Sequence, residues 1–272
     1  MLLDRVSIAE LIFNNLNTNF EKLKNQFKNS NQHISYFYLD DLLPDELVLK
    51  IYSSFPKYQE TTLKKSLKQH KHIAVQMNQY DPLLEEVIYA FQELKVIKII
   101  EQICGFQNLI PDTNLYAGGI SMMRKNNFLN PHLDNSHDKD RNLWRVLNLL
   151  YYVTPNWKEE NGGNLELWPK GPSNDNITIH SKFNRLVIMV THNQSWHSVS
   201  KIKVSDIRCC VPNYYFSRVP VHENSKFHVT TFRGRPEQKI RNMWLKIDSF
   251  TRMQIRKIFK KGIIENPHQY KK

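Results

Sequence analysis

The chain has 272 residues, 40% apolar and 24% charged, which are globular proportions that exclude a disordered or fibrous protein. Its apolar runs are short and interrupted, as by Asn148 within 146–153, and none is long enough to span a bilayer. No basic head followed by an apolar core opens the chain, and three cysteines without a CxxC pair give no disulfide framework, so a cytoplasmic location is expected.

Bases outnumber acids 38 to 26, a net charge of +12, and from Arg233 onward there are 12 Lys/Arg against 3 Asp/Glu. Such a tail can attract an anionic partner, a lipid surface or nucleic acid. No nucleic-acid motif accompanies it, which disfavours the last.

In chain order, Ser7-Ile8-Ala9-Glu10 has capping-box spacing, and Ile8, Leu11, Ile12, Leu16, Phe20, Leu23 and Phe27 follow at helical intervals. One helix is expected there, ending in the polar stretch near residue 30. Residues 34–39 read as extended, and residues 41–46 as a turn into a helix through Ile51. Asp81-Pro82 opens a third helix, with Leu83, Leu84, Val87, Ile88, Phe91, Leu94 and Ile97 as its apolar face. Past Pro111 the texture changes to short strands, expected near 114–123, 144–153, 165–168, 177–179, 185–190 and 207–216. After Thr231 the pattern is helical again, with Phe250, Met253, Ile258 and Phe259 apolar and Gly262 as a stop. The plan is α+β: an N-terminal helical support over 1–110, a β core over 111–220 that is a sandwich or barrel, and a basic C-terminal extension over 221–272.

Chemistry concentrates in the β core. In Pro131-His132-Leu133-Asp134-Asn135, residues two apart on an extended segment face the same side, so His132 and Asp134 can meet one metal. His197, 63 positions after Asp134, closely follows an expected strand and is the best third ligand. Two imidazoles and a carboxylate on one face leave three positions open, an arrangement suited to non-haem Fe(II). Arg208, eleven residues later, can hold a carboxylate by a two-point contact. His137, His180 and His192 are rivals that solvent or structural hydrogen bonds account for better.

These landmarks resemble the 2-oxoglutarate- and Fe(II)-dependent dioxygenases, within them the prolyl 4-hydroxylase-like branch. The similarity covers about 116–216 and includes His132-Leu133-Asp134-Asn135 and Leu149-Leu150-Tyr151-Tyr152-Val153. It continues through Gly162-Gly163-Asn164-Leu165-Glu166-Leu167-Trp168-Pro169, Lys182-Phe183-Asn184-Arg185-Leu186-Val187, Trp196-His197-Ser198-Val199 and Arg208. The resemblance implies a double-stranded β-helix, or jelly roll, with Fe(II) on His132, Asp134 and His197. It implies 2-oxoglutarate and O2 as cosubstrates, the far carboxylate of 2-oxoglutarate meeting Arg208 and Tyr152, with Asn148, facing the same interior, as a further cofactor-binding residue. It further implies a cytoplasmic hydroxylase acting on a prolyl, amino-acid or other small or peptide substrate; the retained Asp134 argues against halogenation.

Three departures stand out. Met122 and Met123 occupy the places of a family tyrosine, Cys210 replaces a family serine after Arg208, and the loop 135–142 is long. The next arginine after Arg208 is Arg218, so the second arginine of the nucleic-acid demethylases is missing. The competing class is a cupin-like binding module without turnover, whose basic tail docks an anionic partner.

Overall fold

The computed structural model describes residues 4–30, 34–259 and 269–271. The N-terminal part contains α1 (Arg5–Thr18), α2 (Phe20–Asn29), β1 (Tyr36–Leu39) and α3 (Asp45–Ser53). A hairpin of β2 (Thr62–Lys65) and β3 (Gln69–Ala74) precedes α4 (Pro82–Ala90) and α5 (Leu94–Cys104). The core then runs β4 (Ile110–Pro111), β5 (Ile120–Met123), β6 (Phe128–Leu133), β7 (Trp144–Tyr152), β8 (Leu165–Leu167) and β9 (Ile177–Ile179). It closes with β10 (Arg185–Val190), β11 (His197–Val199), β12 (Arg208–Ser217), β13 (Thr231–Phe232) and α6 (Lys239–Ile258).

Local chemistry sets most of the ends, and corrects several expectations. The cap of α1 is Asp4, whose carboxylate accepts the Ser7 N–H at 2.8 Å, rather than Ser7 itself. The single helix expected through Phe27 breaks at Asn19, whose backbone leaves the helical region at φ −100°, ψ 11°. Asp81 does cap α4, with Pro82 at its first position, but the expected continuation to Ile97 divides before Leu94, which is 67% exposed. The strand expected from residue 114 begins only at Ile120. Asp112 is the reason: its carboxylate accepts the N–H groups of Tyr116, Ala117 and Gly118 at 2.8, 2.8 and 3.0 Å, folding that stretch into a loop. The N-terminal region is not purely helical, since β1, β2 and β3 are strands of the core's own sheet.

Antiparallel pairing runs β1–β10–β7–β12–β5–β3 and, through β3, on to β6–β11–β8–β9. Strands β5, β12, β7 and β10 thus form one layer and β6, β11, β8 and β9 the other, the jelly roll that the sequence leads one to expect. Apolar faces of the helices, among them Ile8, Ile12, Leu23, Val87 and Ile100, share one core with Leu149, Tyr151 and Ile188 of the first layer. Asn184 locks this union. Its side chain accepts from the Leu43 N–H and the Tyr151 hydroxyl at 3.1 and 2.8 Å, and donates to the Leu43 carbonyl and Asp45 at 2.7 and 2.9 Å.

Among the described residues no helix is long and apolar enough to cross a membrane. On α6, Leu245 and Ser249 are the buried residues, while Phe250, Ile258 and Phe259 are exposed. Gly262, the expected helix stop, lies outside the described residues.

Candidate active site

His132 stands one residue before the end of β6 and His197 begins β11, and antiparallel pairing places them directly opposite each other. Their ring centroids are 4.1 Å apart. Asp134 reaches between them, with its oxygens 3.6 Å from His132 Nε2 and 3.7 Å from His197 Nε2. One ligand atom from each residue falls within 4.8 Å of the others, so the three can hold one metal ion. The Nδ1 atoms of His132 and His197 lie 3.0 Å from the carbonyls of Asn130 and Ser195. A carbonyl only accepts, so each Nδ1 carries the proton and each Nε2 offers its lone pair to the centre.

Burial, then His132, pushes the His197 imidazolium down to about 4, so this ring is neutral near pH 7. Burial opposes the charge of Asp134 too, but the two histidines and Arg145 outweigh it and hold the carboxyl well below its usual range. With His197 neutral, Arg145 at 3.7 Å is the lasting cation beside Asp134. This donor set, two imidazoles and one carboxylate, fits a divalent metal with open positions.

An inner cavity of about 190 Å³ runs from this cluster to Arg208 and is also lined by Asn148, Tyr152 and Met123. Arg208, only 3% exposed, makes no salt bridge among the described residues, and its Nε is buried without a hydrogen bond. The Tyr152 hydroxyl is likewise buried and unbonded, and its ring lies 5.2 Å from the guanidinium carbon. An arginine buried without an acid is costly unless a ligand supplies one. These two groups therefore fit a ligand carboxylate. Asn148 turns its amide toward Asp134 at 3.5 Å, so it braces the carboxylate from the cavity wall.

Met123 fills the place that a tyrosine holds in the resembling family, with its sulfur 3.2 Å from Arg208 Nη2. Met122 lies outside the cavity wall, whereas Cys210 and Tyr116 are part of it. Room for Arg208 comes from Gly163, which has φ +73° and whose Cβ would sit 2.8 Å from Arg208 Cδ. Gly163→Ala is expected to cost about 1–3 kcal/mol of stability by crowding the arginine, a loss that thermal melts of the variant measure.

Four site residues escaped the sequence reading. Arg145 is one: regular alternation from Asn148 points it away from the cavity. The β7–β12 register shifts between Tyr215 and Phe216, pairing Tyr214 with Asn148 but Phe216 with Arg145, and this bulge turns Arg145 inward. There its guanidinium lies 4.5 Å from the ring centroid of Tyr214, the second missed residue. Phe232 of β13 pairs with His132 and stacks on its ring at 5.1 Å. Lys71 of β3 lines the inner cavity beside the metal cluster.

The rival histidines are elsewhere. His180 Nε2 contacts the Trp157 carbonyl at 2.9 Å, and His192 packs on His222 with centroids 4.7 Å apart. His137 is buried against Phe227 and lines a wider cavity next to the cluster, but is not one of the three grouped ligands. Burial, opposed by its bond to the Asp138 carbonyl but aided by nearby arginines, lowers its pKa to about 4. A depressed histidine favours the neutral form, so its contribution to stability is complete above pH 6.5 and is lost as pH falls toward 4. His137→Gln should remove on the order of 2–3 kcal/mol of that acid sensitivity. Urea midpoints between pH 4 and 7.5 measure it.

Residues 118–216 match the family profile described as the 2OG-Fe(II) oxygenase superfamily. No curated protein sequence matches the chain. Among solved structures, a Pseudomonas putida prolyl-4-hydroxylase is 16% identical with TM-score 0.54, covering 72% of this chain and all of its own (100%). A Trichoplax adhaerens prolyl hydroxylase, solved with a hypoxia-inducible-factor peptide fragment, is 18% identical with TM-score 0.50, covering 78% of this chain and 90% of its own. A Burkholderia pseudomallei oxidoreductase of the 2OG-Fe(II) oxygenase family is 11% identical with TM-score 0.51, covering 74% and 91%. Structural likeness at such identities establishes the fold, and the matched segment contains all six residues expected at the site. Over residues 118–216 the chain thus matches the 2OG-Fe(II) oxygenase superfamily, and the His132, Asp134 and His197 cluster that can hold a metal lies inside that matched segment.

Proposed function

We propose that the protein hydroxylates a C–H bond of a small or peptide substrate, with a prolyl or other amino-acid unit as the first class to test. His132, Asp134 and His197 would hold Fe(II), and Arg208 with Tyr152 would bind the far carboxylate of 2-oxoglutarate. When bound, these cofactors supply the oxidant, converting 2-oxoglutarate and O2 to succinate and CO2 with one oxygen atom passing to the substrate. The observation that carries this reading is the buried Arg208, without an acid of its own, facing the His-Asp-His cluster across one cavity.

The chain's own work is positioning. The carbonyls of Asn130 and Ser195 orient the two imidazoles, while Arg145 and Asn148 hold Asp134 ionised and aimed at the centre. Leu150, Leu165 and Val199 give the inner cavity apolar walls, which restrict water beside the reacting groups. The basic C-terminal part is folded onto this frame, because Arg235 pairs with Glu166 at 2.7 Å and Arg233 lies 5.4 Å from the Trp196 ring. That arrangement disfavours a free docking arm over 233–259.

The test is Fe(II)-dependent succinate formation from 2-oxoglutarate, with and without amino acids, prolyl peptides and sugar or carboxylate metabolites. Succinate that rises with one class supports the hydroxylase reading and names its substrates. A protein that binds neither iron nor 2-oxoglutarate refutes it.

A further inference from the structure

The metal cluster also borders a second, outer cavity of about 710 Å³, walled on one side by the β2–β3 hairpin and on another by α6. Its charged lining is one-sided: Lys64, Lys71, Arg145, Arg252 and Arg256 against Asp134 as the one acid among the lining residues. Asp134 is already committed to the metal cluster and to Arg145. Arg252 pairs with Asp248, but that carboxylate is shared with Lys68 at 2.8 Å.

Lys64 and Lys71 are different. They are directly opposite each other in the antiparallel β2–β3 register, and neither side chain has a salt bridge or hydrogen bond among the described residues. Like charges facing each other across a strand pair repel, so this pairing destabilises the hairpin. Both residues are half-buried, and desolvation lowers the pKa of each, for Lys71 opposed by Asp134 but aided by repulsion from Arg208 and Lys64. A fold that places two cations without salt-bridge partners together in a partly dry wall has a site for an anion between them. Lys71 lines both cavities, but Lys64 lines only the outer one, which Arg208 does not line.

We infer that the substrate bears a carboxylate or phosphate, held by Lys64 and Lys71 in the outer cavity while its reacting C–H lies at the metal cluster. The inference rests on the oxygenase reading for the reaction, but the anion site can be scored without it. Arg252 and Arg256, on the opposite wall, add a long-range attraction that draws such a substrate to the mouth.

The full chain, loaded with Fe(II) and 2-oxoglutarate, is assayed for succinate with matched pairs: N-acetyl amino acids against their amides, and sugar phosphates against the parent sugars. The charged member of one pair type should be preferred at least about tenfold in kcat/KM, the size of one charge-assisted contact. Whichever pair type responds separates carboxylate from phosphate. In the double variant Lys64→Gln/Lys71→Gln the preference should fall to about twofold or less. Because the preference is a ratio within one protein, any loss of folded material cancels.

Neutral members performing as well as charged ones, or a preference that survives in the double variant, would overturn the inference. So would Lys71→Gln raising only the 2-oxoglutarate requirement, which would assign Lys71 to the cosubstrate. If no pair stimulates turnover, acetate and inorganic phosphate are titrated calorimetrically into the loaded protein. Saturable binding that disappears in the double variant supports the site, and its absence refutes it. Iron-bound protein that forms no succinate under any condition would instead refute the oxygenase reading, while the calorimetric result still scores the anion site.

Discussion

Replacing Asp134 with alanine should abolish Fe(II)-dependent succinate formation and weaken iron binding at least about 100-fold, more than the usual effect of disturbing a ligand's supporting partners. The carboxylate is the one anionic donor between two imidazoles, 3.6 and 3.7 Å from their Nε2 atoms. Without it, two imidazoles remain and the charge that offsets a divalent cation is gone. The same substitution leaves Arg145 without its acid, so a modest loss of stability is also expected. Iron titration of the folded variant separates the two effects. Undiminished turnover in Asp134→Ala would remove this residue from the site.

Arg208→Met should act in opposite directions on stability and on function. In the protein without cosubstrate the guanidinium is 3% exposed with no acid beside it, its Nε unbonded and its Nη2 against the Met123 sulfur. A methionine of similar length removes that desolvated charge, so the cofactor-free variant is expected to match or exceed the parent by about 1–3 kcal/mol. The 2-oxoglutarate requirement should meanwhile rise on the order of 30-fold or more, because a buried charge-assisted contact is lost. Thermal melts in the absence of 2-oxoglutarate and a KM determination test the pair. Lower stability together with an unchanged KM would show that Arg208 is a structural residue and reassign the carboxylate site.

Gly163 connects these results to the backbone. A glycine pair in the sequence reads as a tight reversal, and both Gly162 and Gly163 do have positive φ. Only the folded chain shows that Gly163 also clears the space through which Arg208 passes. The stability effects of Gly163→Ala and of losing Arg208 are therefore coupled, and in the double variant they should not add.

What the sequence by itself determined was whatever follows from local spacing. Alternation along an extended segment put His132 and Asp134 on one side, and it put Asn148 and Tyr152 on one cavity wall, as the structure does. Asp81-Pro82 marked a helix start, and the strand bounds 177–179 and 185–190 match β9 and β10 because turn residues flank clear apolar runs. The order of the family landmarks supplied His197 and Arg208, which no local period links to His132. Tertiary structure alone decided the rest. The β2–β3 hairpin is rich in lysine and poor in β-forming residues, so its strands exist because β5 and β6 pair with β3, and that pairing is what carries Lys64 and Lys71 to the cavity. Arg145 faces inward because a bulge reverses the alternation, and Phe232 covers His132 because β13 returns to the free edge of β6. Each of these depends on contacts between segments far apart in the chain, whose geometry is set by the folded sheet and leaves no periodic trace in either segment.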